Sequence, residues 1–340
     1  MMSPLSTIVA SACITAAALS PTLDAQVRLD PRIPAYTKSS GVSGNIKSVG
    51  SDTMNNLMTL WSEGFNKMYP NVGVEIEGKG SSTAPPALIA GTATFGPMSR
   101  EMKGKEQDEF EKAYGYKAVG LDTSIDMLAV YVHKDNPIAR TGLTLAQVDA
   151  IFSKTRKGGH ADDIRTWGDL GLDGEWADKP ISLFGRNSAS GTYGFFKEHG
   201  LFKGDFKDEV KEQPGSSSVV QGVASDKYAI GYSGIGYKTA DVAAVPLTVE
   251  GDKFVAAEPA NASKYPLSRF LIVYLNFKPN SQLDPLRREF LRYVFSAEGQ
   301  AAVVKDGYLP LNFLICKREL AKVGIDLAPA VGTAEASSGR

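Results

Sequence analysis

The sequence predicts an α/β fold, because segments with the pattern of β-strands alternate with segments of helical periodicity along most of the chain. Residues 72–77 alternate apolar and polar side chains, as in a half-buried strand. Residues 54–69 place apolar side chains near helical spacing, and Pro70 with Asn71 then ends this helix. The chain has 340 residues, which is enough for two domains with a large core.

The other predicted elements continue this alternation. The predicted strands cover residues 45–50, 72–77, 93–98, 128–133, 180–185, 229–232 and 270–275. The predicted helices cover residues 54–69, 84–90, 104–113, 145–152, a segment after the turn at Arg186, 219–224, 286–295 and 298–306. We expect the hydroxyl-bearing segments 51–53 and 215–218 to cap the helices that follow them.

Composition excludes several classes of function. The net charge is −1, so no basic field attracts nucleic acid, and an anion must be bound by local geometry. Three His and two Cys leave little room for a metal site, and the sequence predicts neither a metal nor another cofactor.

The N-terminus has the pattern of a secretory signal. Residues 5–19 are apolar and uncharged, although no Lys or Arg precedes them. We predict a signal peptide over residues 1–26, export to the periplasm, an irregular leader over 27–43 and a disordered tail over 328–340. Cys13 suggests a lipid-attachment site only weakly, because it lies inside the apolar run.

Four turns share one plan, in which small polar residues follow the end of a strand. They comprise residues 51–53, 80–83, 98–100 and 186–192. In open α/β sheets, ligands bind beyond the carboxyl ends of the strands, so turns of this kind can form a cage of N–H and O–H donors. Helix capping alone is the competing interpretation for each of the first three turns.

The fourth turn carries the strongest indication of an anion site. It places Arg186 two residues before a run of hydroxyls and Gly191, where a helix is expected to begin. Backbone N–H groups at a helix N-terminus favour anions, and a guanidinium matches the oxygens of phosphate. An ordinary surface ion pair is the alternative role for Arg186.

With these motifs, the chain resembles the phosphate-binding component of high-affinity phosphate ABC transporters. The resemblance runs from about residue 45 to 328. It is carried by Val-Gly-Ser-Asp-Thr-Met at 49–54, Gly-Ser-Ser-Thr at 80–83, Phe-Gly-Pro-Met-Ser-Arg at 95–100 and Arg-x-x-x-Ser-Gly-Thr at 186–192. Segments 129–137, 229–232 and 265–269 support it.

The resemblance implies a type II periplasmic-binding-protein fold, with two lobes and a ligand cleft between them. One lobe would combine residues 44–130 with 266–327, the other would span 131–265, and residues 127–133 and 269–276 would cross between them. The implied partners are inorganic phosphate and an ABC permease of the inner membrane, with the protein itself a monomer.

The resemblance also implies roles for individual residues. Thr53 would donate its hydroxyl and Met54 its backbone N–H, and Arg186 would supply the charged fork. The full set of expected phosphate-binding residues is Ser51, Thr53, Met54, Ser81, Ser82, Thr83, Ser99, Arg100, Asp126, Arg186, Ser190, Gly191 and Thr192. No catalytic residue is expected.

Ser99 departs from the family pattern, because many members carry an Asp there. That carboxylate accepts the proton of hydrogen phosphate and repels sulfate. Asp52 and Asp126 are candidates to replace it, and turn capping is an equally good account of Asp126. Arg100 would either contact the anion or brace its loop through Glu101 or another carboxylate.

Three other functions compete with phosphate capture. The departure at Ser99 keeps another oxyanion, sulfate or molybdate, as the main alternative. A phosphatase is less favoured, because His133, His160 and His199 are not near a plausible nucleophile motif. An adhesion or signalling role has no supporting block of exposed aromatic or charged residues, although the fold permits it.

Overall fold

The computed structural model describes residues 27–330. The predicted signal peptide and the last ten residues of the predicted tail lie outside the described residues. Among those described, no helix is long and apolar enough to cross a membrane.

Strands and helices alternate through the described chain, which confirms the predicted α/β class. The strands are β1 (Gly44–Val49), β2 (Val72–Glu77), β3 (Gly96–Met98), β4 (Val119–His133), β5 (Leu143–Thr144), β6 (Ser182–Arg186), β7 (Lys211–Gln213), β8 (Ala229–Gly234), β9 (Val242–Ala244), β10 (Leu247–Thr248) and β11 (Ser268–Leu275). The helices are α1 (Asn55–Met68), α2 (Ala84–Ile89), α3 (Gly104–Tyr114), α4 (Ile138–Thr141), α5 (Leu145–Phe152), α6 (Gly191–Phe195), α7 (Ser216–Ser225), α8 (Pro285–Val294), α9 (Ala297–Lys305) and α10 (Phe313–Ala321).

The long strand β4 joins the two halves of the main sheet, whose order is β3-β11-β4-β8-β6-β7. Its first part pairs antiparallel with β11, from Val119 opposite Leu275 to Met127 opposite Ser268. Its second part pairs with β8 and with β9. The strands β1 and β2 form a separate parallel pair beside the first half. The chain therefore passes between two lobes along β4 and the start of β11.

Each half of the sheet has its own apolar core. One core contains Trp61 and Phe65 of α1, with Phe290 of α8 edge-on to Phe65 at 5.3 Å between ring centroids. The other contains Phe196 stacked on Tyr232 of β8 at 3.9 Å. Because these aromatic side chains are removed from water in two separate clusters, the hydrophobic effect stabilises two lobes around a cleft.

Two expected caps are not formed by the residues that were proposed for them. Helix α1 begins after Met54 without a side-chain cap, so the hydroxyls of segment 51–53 do not serve this role. Helix α7 begins at Ser216 rather than at residue 219, again without a side-chain cap from its own turn. The carboxylate of Asp52 instead accepts the Ser216 N–H at 2.8 Å. A residue distant in sequence thus satisfies this helix end.

The segment 27–43 contains no strand or helix, yet it is attached to the first lobe at several points. Asp30 accepts the backbone N–H of Phe313, and the carbonyl of Pro34 accepts that of Ala297. The Tyr36 hydroxyl donates to Glu289 at 2.7 Å. These contacts fix the leader across α8, α9 and α10.

Candidate functional site

The four predicted turns lie at the carboxyl ends of β1, β2, β3 and β6, on the two sides of the cleft. Residues 51–53 follow β1, a short 3-10 turn at Ser81–Thr83 follows β2, and Ser99 follows β3. The segment beginning at Arg186 approaches them from the other lobe. The structure therefore brings together turns that are far apart in the sequence.

Thr53 and Thr192 meet directly across the cleft. Their Oγ1 atoms are 2.9 Å apart, and both residues are buried. Because α1 has no side-chain cap, the Thr53 hydroxyl is not occupied by its own helix end. Two hydroxyl groups from opposite lobes thus meet at one point, where one donates to the other.

Ser81, Ser99 and Gly191 lie at a close approach between the lobes. The Ser81 Oγ accepts the Ser99 N–H at 3.0 Å and lies 3.3 Å from the Ser99 Oγ. A Cβ atom at Gly191 would lie only 2.2 Å from the Ser81 Oγ and 2.6 Å from the Ser99 Oγ. A glycine at this position is therefore what lets α6 approach both serines.

Ser82 and Thr83 have other partners in the turn after β2. The Ser82 N–H donates across the cleft to the carbonyl of Ala189 at 3.1 Å, while the Ser82 Oγ accepts from Arg100. The Thr83 hydroxyl donates to the carbonyl of Gly80 at 2.8 Å. Gly80 has a φ of +112°, a conformation that side chains strongly disfavour.

Arg186 is 1% exposed and is held by groups from both lobes. Its Nη1 donates to the Ser216 Oγ at 2.7 Å, its Nη2 donates to the carbonyl of Pro214, and Nη2 lies 3.2 Å from the Asp52 Oδ2. Burial lowers the pKa of Arg186 from its ordinary value, and the charge of Asp52 opposes that shift. The Nε atom is buried with no hydrogen-bond partner among the described residues.

Asp52 retains one free carboxylate oxygen. Its Oδ2 accepts from Ser216 and faces Arg186, whereas Oδ1 has no hydrogen bond within the described chain. The side chain of Asp52 is 25% exposed. A carboxylate held in this way can still accept a hydrogen bond from another group.

The remaining residues of the first and fourth turns have mixed roles. The Ser51 Oγ is buried and has no partner among residues 27–330. Met54 is buried, and its N–H donates to the carbonyl of Ser51 at a long 3.3 Å. Ser190 is the N-cap of α6, because its Oγ accepts from the N–H groups of Thr192 and Tyr193.

Arg100 and Asp126 are each committed to another charged side chain. Arg100 forms a two-pronged ion pair with Glu106 through Nη1 at 2.8 Å and Nη2 at 2.7 Å, so it braces its loop. Asp126 is fully buried, and its Oδ2 accepts from both Nε and Nη2 of Arg269. Its Oδ1 accepts the Ile235 N–H at 3.0 Å. Both oxygens of Asp126 are therefore occupied.

Two residues of this region were missed by the expected binding set. Ser216 contacts Arg186, and its only sequence signal was its place in the hydroxyl run 216–218. Arg269 contacts Asp126, Ser99 and Thr192, although the sequence marked it only as part of the supporting segment 265–269 and of the expected crossing segment 269–276. Neither residue follows the end of a predicted strand, which is the pattern that marked the four turns.

Comparison with known proteins identifies relatives over most of the chain. The model of the PBP superfamily domain matches residues 35–298. Over 300 residues, the chain is 57% identical to the phosphate-binding protein PstS of Pseudomonas aeruginosa, covering 87% of this chain and 92% of that protein. It is 29% identical over 267 residues to PstS of Staphylococcus haemolyticus, covering 77% of this chain and 79% of the relative.

A solved structure gives a similar result. A phosphate ABC transporter substrate-binding protein from Clostridium perfringens, solved with bound phosphate, superposes with a TM-score of 0.66. It is 27% identical, and the match covers 79% of this chain and 100% of that one. An ABC-type phosphate transport receptor from Vibrio cholerae has the same fold, with a TM-score of 0.59 at 22% identity, covering 78% of this chain and 100% of the receptor.

Proposed function

Since this chain belongs to the PstS family of phosphate-binding proteins, we propose that it binds inorganic phosphate between its lobes and delivers it to an ABC permease. One observation carries this proposal most directly. Hydroxyls from both lobes meet at Thr53 and Thr192, and among residues 27–330 the buried Arg186 Nε and Ser51 hydroxyl have no partner. Buried polar groups are seldom left unpaired, so a group with many acceptor oxygens fits there.

The expected donors suit a small tetrahedral oxyanion. Thr53, Ser81 and Thr192 supply hydroxyls, and the N-terminus of α6 adds backbone dipoles. Arg186 supplies the cationic fork, while Asp52 offsets its charge. We propose that the anion replaces the direct contact between the hydroxyls of Thr53 and Thr192 and binds to both. Closure of the two lobes would then depend on the ligand.

We further propose that Asp52 accepts the proton of hydrogen phosphate. Ser99 cannot repel sulfate as a carboxylate would, so another acceptor is required for discrimination. Asp126 is less suited, because Arg269 and Ile235 occupy both of its oxygens. Asp52 has a free Oδ1 and lies beside Arg186. Sulfate has no proton to donate, so the Asp52 Oδ1 would repel it without receiving a hydrogen bond in return.

Isothermal titration calorimetry tests these proposals on protein stripped of anion by unfolding and refolding. Phosphate, sulfate and molybdate are titrated at several pH values into the wild type and Asp52→Asn. We expect tight binding of phosphate alone by the wild type, and measurable sulfate binding by Asp52→Asn. Wild-type protein that binds sulfate as tightly as phosphate would overturn the assignment of the ligand. Unchanged selectivity in Asp52→Asn would overturn only the role of Asp52.

The proposed partner and location have their own tests. Expression in a strain without its phosphate-binding protein should restore phosphate uptake, and the restored protein should be found in the periplasm without its N-terminal segment. Light scattering should report a monomer. We also propose that the protein binds without turnover, so a chromogenic phosphate ester should remain intact.

A further inference from the structure

We infer that Arg269 is a positioning residue for the anion site, which sets the Thr192 hydroxyl as a donor facing the cleft. This inference rests on the proposed function. Arg269 lies at the start of β11, directly opposite Asp126 of β4, where the chain passes between the lobes. Its side chain is 3% exposed.

One guanidinium holds groups from both walls of the cleft. Its Nη1 donates to the carbonyl of Ser99 at 2.7 Å, and its Nη2 donates to the Thr192 Oγ1 at 2.9 Å. Asp126 accepts from Nε and Nη2 at 3.0 and 2.8 Å. A planar fork can make these contacts together, whereas the single ammonium of a lysine is a point charge that cannot reproduce them.

The hydrogen bond from Arg269 fixes the direction in which the hydroxyl proton of Thr192 points. A guanidinium has only donors and is not deprotonated in proteins, so the Thr192 Oγ1 must accept from it. The hydroxyl proton of Thr192 therefore points away from Arg269. Among the described residues, the side-chain oxygen within hydrogen-bond distance of the Thr192 Oγ1 is the Thr53 Oγ1, at 2.9 Å across the cleft. A hydroxyl that accepts from a cation is also a stronger donor, because linked hydrogen bonds polarise one another.

Arg269 acts through Thr192 and Ser99 rather than through its own charge. Asp126 neutralises the guanidinium, and the Phe195 ring lies 5.1 Å from its Cζ. By contrast, Arg186 keeps a free Nε. Arg269 therefore orients donors before the anion arrives, which lowers the cost of ordering them on binding.

A double-mutant cycle with Arg269→Lys and Thr192→Val tests this coupling, with phosphate affinity as the measurement. Arg269→Lys keeps the charge beside Asp126 but removes the fork. We expect it to weaken binding about tenfold, or about 1.4 kcal/mol, in the wild-type background. In the Thr192→Val background the same change should cost less than about twofold, because the hydroxyl to be oriented is absent. The control is Arg292→Lys, an arginine paired with Glu289 and Ser39 outside the cleft, which should leave affinity unchanged.

The outcomes separate this inference from the proposed function. Equal losses from Arg269→Lys in both backgrounds, or no loss in the wild type, would overturn the positioning role. Unchanged affinity in Thr192→Val alone would instead remove Thr192 from the proposed site. If Arg269→Lys lowers the melting temperature strongly, the paired variant Arg269→Gln with Asp126→Asn removes both buried charges. It should show the same tenfold loss and the same dependence on Thr192.

Discussion

Two arginine–aspartate pairs with buried guanidinium groups lie at the cleft, and they differ in how many of their polar atoms lack a hydrogen bond. The pair of Arg186 with Asp52 has a free Nε, a free Oδ1 and a carboxylate that is 25% exposed. In the pair of Arg269 with Asp126, each guanidinium nitrogen donates to protein and the carboxylate is fully buried. The first pair keeps capacity for a ligand, whereas the second is satisfied by the fold.

This difference indicates that one arginine–aspartate pair is suited to bind a ligand and the other to stabilise the fold. A buried ion pair with all of its hydrogen bonds made is costly to break and holds neighbouring groups in place. An ion pair in which some polar atoms make no hydrogen bond can still bind a ligand through those atoms. We therefore expect changes in the first pair to act most strongly on phosphate affinity. Changes in the second pair should act on stability and, through Thr192, to a smaller extent on affinity.

The largest expected effect on affinity is that of Arg186→Met. It removes the cationic fork and leaves the charge of Asp52 to repel the anion, so phosphate binding should weaken at least a hundredfold, about 3 kcal/mol. Calorimetry measures this change. The control is Arg165→Met, an exposed arginine that pairs with Asp163 and should not alter binding. Undiminished affinity in Arg186→Met would reverse the assignment of the two pairs.

Asp126→Asn should lower stability more than affinity. It leaves the buried guanidinium of Arg269 without its counter-charge, and breaking such a pair costs about 3 kcal/mol. Urea unfolding should show a lower midpoint than in the wild type. Asp241→Asn, which breaks the exposed pair with Lys134, should cost less than about 1 kcal/mol. A stable Asp126→Asn protein that loses much more affinity than the tenfold expected of Arg269→Lys would mean that the second pair also serves the ligand directly.

Gly191→Ala should weaken phosphate binding about tenfold, or about 1.4 kcal/mol, without lowering stability. The added Cβ would collide with the hydroxyls of Ser81 and Ser99, while alanine favours the helical conformation of α6. The control is Gly104→Ala in α3, where a Cβ meets open space. Full affinity in Gly191→Ala would show that phosphate binding does not need this close approach. The affinity would then depend mainly on the pair of Arg186 with Asp52.

A further expected effect, comparable in size, is a pH dependence of stability that reports the charge of Asp126. Burial, with the charge of Asp126 adding to it, raises the pKa of Asp306 to about 7 from an ordinary value of 3.8. The folded state thus binds more protons than the unfolded state between these values. Stability should fall as pH rises from about 4 to about 7, by roughly 1–2 kcal/mol given the partial exposure of Asp306.

Unfolding measured against pH checks this expectation. Asp306→Asn should flatten the profile over that interval. In the Asp126→Asn background the fall should occur at lower pH, because one cause of the raised pKa is gone. A fall that keeps its position in that background would mean that burial alone sets the pKa of Asp306.

The pattern of apolar and polar residues predicted correctly the elements that have a clear periodicity. The strand at 72–77 and the helix at 145–152 have the predicted bounds. Strand β4 was expected from residue 128 but begins at Val119. The prediction missed its first part because polar residues interrupt the apolar pattern there. One of them, Thr123, donates its hydroxyl to the carbonyl of Leu271 in β11. Helix α10 was not predicted from the sequence, although tertiary packing buries its Cys316 and Leu320.

The amino-acid sequence by itself determined the alternation of strands and helices, the four polar turns and the family to which the chain belongs. These features depend on local periodicity, on turn residues and on motif spacing, all of which can be read along the chain. Only the tertiary structure decided which charges pair. Arg100 faces Glu106, Arg186 faces Asp52, and Arg269 faces Asp126. An arginine's partner depends on which strand ends meet in space, and that arrangement follows from the packing of two cores rather than from neighbours in sequence.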